Sequence, residues 1–218
     1  MAVNRLQSQA SALVRSKGAT RQNLRILSLA QNTGLILAFA LMTALAAQIQ
    51  VHLPFTPVPI TMQTAAVLFT GLALGWRRGA ISQAFYLIAG ATGAPFFALP
   101  GGLHLMGPTA GYLLGFLPMV VAAGLVKRVL ADKPLRNGSM STSIMRPFWA
   151  FVGSVLASLP CLALGSFWLK AWLSLSWSQA LAMGVTPFLV GDLIKVSVAV
   201  AAAELAWRLN PSEHTKNY

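Results

Sequence analysis

The chain has 218 residues, 56% of them apolar and 9% charged, with a mean hydropathy of +0.66 and a formal net charge of +12. Several apolar stretches reach the length needed to cross a bilayer, which excludes a soluble domain and indicates a polytopic helical membrane protein. One cysteine, Cys161, excludes a disulfide framework, and four acids with three scattered histidines (His52, His104, His214) argue against a metal centre.

Residues 1–31 carry Arg5, Arg15, Lys17, Arg21 and Arg25 and no acid. Two readings are open for this N-terminal extension: a cytoplasmic tail obeying the positive-inside rule, or an organelle transit peptide. A six-helix membrane domain is expected over 32–209, with a short tail at 210–218. The first span, 33–51, carries Ala40, Ala44 and Ala47 on one stripe, which lets another helix approach closely, either a partner's or one of its own. Three prolines in 52–59 forbid helix continuation, so this stretch reads as an ordered apolar loop.

A second span is expected at 60–75 and a third at 79–96. The loop after it, 98–108, holds no acid, lysine or arginine, and reads as a lid or the wall of a pocket. The fourth span, 109–126, leads to a hydrophilic connector, and the fifth, 147–169, leads to Lys170, Trp172 and Trp177 at headgroup level. The sixth, 185–209, ends near Glu204 and Arg208, which are expected to pair.

Fourteen of the sixteen cations fall on one side of this arrangement: five in the extension, Arg77 and Arg78, five from Lys127 to Arg146, then Arg208 and Lys216. Lys170 alone lies on the other. Both termini are therefore expected to be cytoplasmic, in the plasma (inner) membrane. The positive charge is a topology signal, and nucleic-acid binding is not needed to explain it.

Asp192 and Lys195 are the exception, since they lie inside the sixth span, three residues apart and on one helical face. A charge in hydrocarbon costs about 3–10 kcal/mol, so two on one face imply mutual neutralisation, a polar interior or a polar ligand. The Pro-rich loop, the 98–108 loop and this face all fall on the outer side, where Phe55, Phe96, Phe97 and Tyr112 would wall a pocket for a small, partly apolar ligand. No catalytic constellation or phosphate-binding loop emerges, so the chain reads as a non-enzyme without a cofactor whose ATP-driven motor, if any, lies on another polypeptide.

Four runs occur in order: Pro57-Val58-Pro59-Ile60-Thr61-Met62-Gln63-Thr64, Tyr86 to Phe96, Gly107-Pro108-Thr109-Ala110-Gly111-Tyr112-Leu113-Leu114-Gly115-Phe116, and Gly191-Asp192-Leu193-Ile194-Lys195. Together they resemble the BioY family, the biotin-binding S components of energy-coupling factor (ECF) transporters, over about residues 33–207. The resemblance implies a six-helix substrate-binding subunit working in the bilayer with a T component and two ATPases. It makes the Ala40/Ala44/Ala47 stripe a docking face for the T component, and Thr61, Gln63, Tyr86, Thr109 and Tyr112 supporting ligand partners, with Phe55 and Phe96 as walls. Biotin offers a ureido head, an apolar ring and chain, and a carboxylate tail. Asp192 suits the ureido N–H groups, and Lys195 suits the ureido carbonyl or the tail. One departure is the bulkier, more apolar third loop of this chain. An S component for another vitamin, a small proton-coupled carrier using Asp192 and Lys195 as relay, and a membrane-embedded enzyme remain as alternatives.

Overall fold

The computed structural model describes residues 27–97, 107–132 and 140–209. The expectations for most of the basic extension, for 98–106 with His104, for the connector 133–139 and for the C-terminal tail with His214 lie outside the described residues.

Hydrocarbon offers no partner for a backbone N–H or C=O, so the apolar runs fold as helices. These are α1 (Leu27–Gln48), α2 (Gln63–Leu74), α3 (Trp76–Ala91), α4 (Ala110–Asp132), α5 (Met140–Leu173), α6 (Trp177–Gly184) and α7 (Thr186–Leu209). Two-residue strands β1 (Gln50–Val51) and β2 (Ile60–Thr61) pair antiparallel, Gln50 opposite Thr61, and close the Pro-rich loop. The fold is an all-α polytopic membrane fold of six long or hairpin helices plus the short α6.

Among the described residues three helices, α1, α4 and α5, are long and apolar enough to cross a membrane unaided. With 12 residues α2 reaches only about 18 Å, and with 16 residues α3 reaches about 24 Å. Both are shorter than the sequence suggests: α3 ends at Ala91 rather than near residue 96, and β2 takes the first residues of the second span, whose helix stops at a tight turn into α3. That turn is Gly75, whose φ of +80° suits a residue without Cβ. The first helix is already formed at Leu27, ahead of residue 33, since Gln31 and Asn32 do not interrupt it. Ahead of the sixth span the sequence reading missed α6, which starts in a capping box: Ser176 accepts from the Gln179 amide while the Gln179 side chain accepts from the Ser176 amide.

Large apolar side chains stand exposed on every long helix, Leu41, Ile88, Leu114, Phe167 and Ile194 among them, as a lipid-facing surface requires. The core is centred on α4, where Phe116, Met119, Val120 and Ala123 are buried with Leu68 and Leu72 of α2 and Val196 and Ala199 of α7. At Gly124 the backbones of α4 and the α2–α3 turn touch: a Cβ there would lie 2.2 Å from the Trp76 amide nitrogen.

At the cation-rich end of the bundle, the last carbonyls of α2 have no helical donors. Lys127 Nζ donates to the Ala73 carbonyl at 2.7 Å, and Trp207 Nε1 donates to that of Leu72 at 3.2 Å. Arg146 lies over the Trp207 ring at 4.4 Å. Glu204, expected to pair with Arg208 on its own helix, makes its ion pair with Arg146 of α5 at 3.7 Å. The ion pair bridges two helices and ties α5 to α7.

Candidate functional site

Between α2, α4, α5 and α7, at the opposite end from the cation cluster, lies a cavity of about 700 Å³, its open mouth included. Volume and mainly apolar walls match a small-molecule site. Seven residues singled out from the sequence line it: Thr61, Gln63, Phe97, Thr109, Tyr112, Asp192 and Lys195. Those on the strand, α4 and α7 come from three directions: the strand and first turn around α2, the start of α4, and one face of α7.

Lys195 Nζ donates to Asp192 Oδ1 at 3.2 Å, and the two side chains are 6% and 12% exposed respectively. The i, i+3 spacing makes this contact possible within one helix turn. Buried ion pairs hold only when their remaining donors and acceptors find partners, and here both groups border the cavity.

A chain of hydrogen bonds fixes the second wall. Thr61 Oγ1 donates to Gln63 Oε1 at 2.9 Å, Gln63 Nε2 donates to the Tyr86 hydroxyl, and Tyr86 donates to the Phe96 carbonyl at 3.2 Å. Tyr112 is held on three sides. Its hydroxyl donates to the Gly184 carbonyl at 2.6 Å, its ring packs 5.9 Å from that of Phe188, and its ring carbons lie where a Cβ on Gly165 would be. Thr64 Oγ1, also in the lining, is buried without a hydrogen-bond partner.

Three sequence-selected residues are not brought to the cavity lining. Tyr86 stands one step behind it, orienting Gln63. Phe96 stacks on Tyr86 at 6.3 Å, and of the two adjacent rings expected as walls Phe97 alone lines the cavity. Phe55, on the Pro-rich loop, is 56% exposed, while Val58 and Pro59 of the same loop face inward. The α5 contribution, Ser158, Cys161 and Leu162, and the deep wall of Phe116 and Met119 were missed. Apolar residues in an apolar span carry no signal that separates a pocket from packing. Cys161 is buried and borders the cavity, its thiol 3.4 Å from the Tyr112 carbonyl oxygen.

The alanine stripe also needs correction. Ala40, Ala44 and Ala47 are 0%, 4% and 0% exposed within the chain itself. Their face of α1 packs on α3, where Ser82 donates to the Ile36 carbonyl at 2.9 Å and Gln83 donates to Thr43 at 3.0 Å. Small residues admit an internal helix as readily as a foreign one. The outward face of α1 carries Ala30, Gly34 and Ala38 at the same four-residue spacing.

An ion-paired polar floor, apolar walls and a membrane-embedded helical bundle define a membrane protein with an enclosed site for a small ligand. The BioY family model matches residues 16–212. A probable biotin transporter BioY of Pyrococcus horikoshii is 32% identical over 177 residues, covering 80% of this chain and 95% of the relative. The biotin transporter BioY of Thermotoga maritima is 35% identical over 166 residues, covering 75% and 87%. The crystal structure of an S-component for biotin from an ECF-type ABC transporter superposes with a TM-score of 0.71 over 85% of this chain and 93% of that one, at 19% identity. The chain belongs to the BioY family.

Proposed function

We propose that this chain captures biotin from the outer side of the membrane and delivers it inward as the substrate-binding S component of an ECF transporter. The observation that carries the reading is the Asp192–Lys195 pair at the floor of a largely apolar cavity: an acceptor and a donor side by side, beneath walls suited to an apolar ring and chain. Thr64, with its unpartnered hydroxyl, offers one more hydrogen bond to a ligand. Family membership supports the same substrate.

The cavity and the cation cluster lie at opposite ends of the helices. With the cation-rich end cytoplasmic, as the positive-inside rule requires, the cavity opens outward in the plasma membrane and both termini are cytoplasmic. The sequence carries no phosphate-binding loop, so inward delivery draws on a T component and two ATPases, and the chain itself performs no covalent chemistry. The exposed Ala30/Gly34/Ala38 face, in the cytoplasmic half of α1, is the surface that suits close approach of a T-component helix. Gly34→Leu is expected to abolish energised uptake while leaving biotin binding intact.

Labelled-biotin uptake by cells that lack their own carrier, supplied with this chain and an ECF module, tests the reading. Uptake is expected to depend on ATP and to persist when the proton gradient is collapsed. Asp192→Asn is expected to lose binding at every pH. Binding retained by Asp192→Asn, with uptake no longer responding to the proton gradient, would favour a proton-coupled carrier instead.

A further inference from the structure

The outward surface between α5 and α7 carries a second concavity, a groove of about 860 Å³ with its open side included. Pro147 and Phe151, one turn apart on α5, form one wall, and Val200, Ala201 and Leu205 of α7 form the other. Along α7 it runs from Ser197 to Arg208, eleven residues further on, hence about 16 Å. One leaflet of a bilayer's hydrocarbon core is about as thick, roughly 15 Å. Ser197 donates its hydroxyl to the Leu193 carbonyl at 2.9 Å, so this end of the groove asks no hydrogen bond of an occupant.

The other end is charged, and both signs are present. Arg208 is exposed there, and Glu204, one turn before it, lines the groove with its carboxylate 3.7 Å from Arg146. At that distance the ion pair is not a hydrogen bond, and Glu204 Oε1 is buried without a donor. Arg146, Arg208 and Glu204 sum to one positive charge. A phosphodiester carries one negative charge, so a singly charged anionic headgroup neutralises the cluster, whereas a zwitterion leaves it charged. A headgroup hydroxyl can also donate to the Glu204 carboxylate, which a choline cannot.

We infer that this groove is a specific site for one phospholipid with a singly charged anionic headgroup, of which phosphatidylglycerol is the type, its acyl chain along α7 and its phosphate on Arg208. Bulk lipid wets the outward faces of a bundle without selecting a headgroup. A leaflet-length apolar channel that ends between helices in a cationic cluster selects one. The groove is separate from the ligand cavity, which opens at the opposite end of the helices, and does not depend on what that cavity binds. A lipid seated against both walls reinforces the contact that the Arg146–Glu204 pair makes between α5 and α7.

Native mass spectrometry of the purified full-length chain, released from micelles holding equal amounts of phosphatidylglycerol and phosphatidylcholine with matched chains, counts what stays bound. One phosphatidylglycerol per chain is expected, favoured by about tenfold or more over phosphatidylcholine, the factor that one charge-assisted hydrogen bond supplies. Two exposed positions separate headgroup from groove: Arg208→Gln removes the cation, and Ala201→Phe fills the channel without changing charge. Each variant is expected to lower phosphatidylglycerol retention by about tenfold or more, with cooperative thermal unfolding in lipid-free neutral detergent showing that both are folded. Equal retention of the two lipids, or phosphatidylglycerol retention undiminished in either folded variant, would overturn the inference. So would a dimer of this chain that Ala201→Phe dissolves, since the groove would then belong to a second copy.

Discussion

Removing one member of the buried pair in α7 has a calculable cost. Lys195 Nζ and Asp192 Oδ1 are 3.2 Å apart and almost wholly shielded from solvent by the chain. At an effective dielectric of about 20 their attraction is about 5 kcal/mol, and breaking such a pair typically costs about 3–5 kcal/mol because the survivor is left buried and unpaired. Lys195→Met, close in volume, therefore lowers ligand-free stability by about 3–5 kcal/mol, which for a chain of this size is a fall of about 6–20 °C in melting temperature. Adding Asp192→Asn restores most of that loss, since no charge then remains in the site, yet the double variant does not regain biotin binding. Thermal unfolding in detergent, followed by tryptophan fluorescence without ligand, is the assay. A melting temperature unchanged in Lys195→Met would refute the coupling, and a double variant no more stable than the single would show that the loss came from packing rather than from charge.

The remaining predictions concern positions around the pair. Gly165→Ala places a Cβ about where the Tyr112 ring lies, 2.2 Å from two of its carbons, so the ring must move and biotin affinity falls by about tenfold, read by calorimetry. Tyr112→Phe removes only the 2.6 Å hydrogen bond to the Gly184 carbonyl, costing about 1 kcal/mol or roughly 2–4 °C in melting temperature. Ser176→Ala breaks the exposed capping box that starts α6, costing about 1 kcal/mol of stability with biotin affinity unchanged.

The membrane architecture was legible because one physical demand, internal satisfaction of the backbone in hydrocarbon, acts on whole segments and writes itself into composition. Asp192 and Lys195 were legible for the converse reason: charge in a span is costly enough to stand out from a single sequence. What failed was finer than one helix turn. Phe96 and Phe97, both expected as walls, are adjacent and chemically identical, and the turn at Thr92 and Gly93, with Gly93 at φ +101°, precedes them and decides which ring meets the cavity. Phe55 and Val58 share a loop whose prolines fix its course, and no periodicity says which side faces in. The stripe of Ala40, Ala44 and Ala47 was correctly read as a close-packing face but assigned to a partner, because small residues specify approach and not the identity of what approaches. The α5 wall around Cys161 left no trace at all, since lining a cavity and filling a core ask for the same apolar side chains.

The most direct test of the account is titration of the purified, folded chain with biotin, without any partner subunit. The cavity walls and the deep polar pair are supplied by this chain alone, so one-to-one binding is expected that Asp192→Asn abolishes. No binding by the folded wild-type chain, or equal binding by Asp192→Asn, would contradict it.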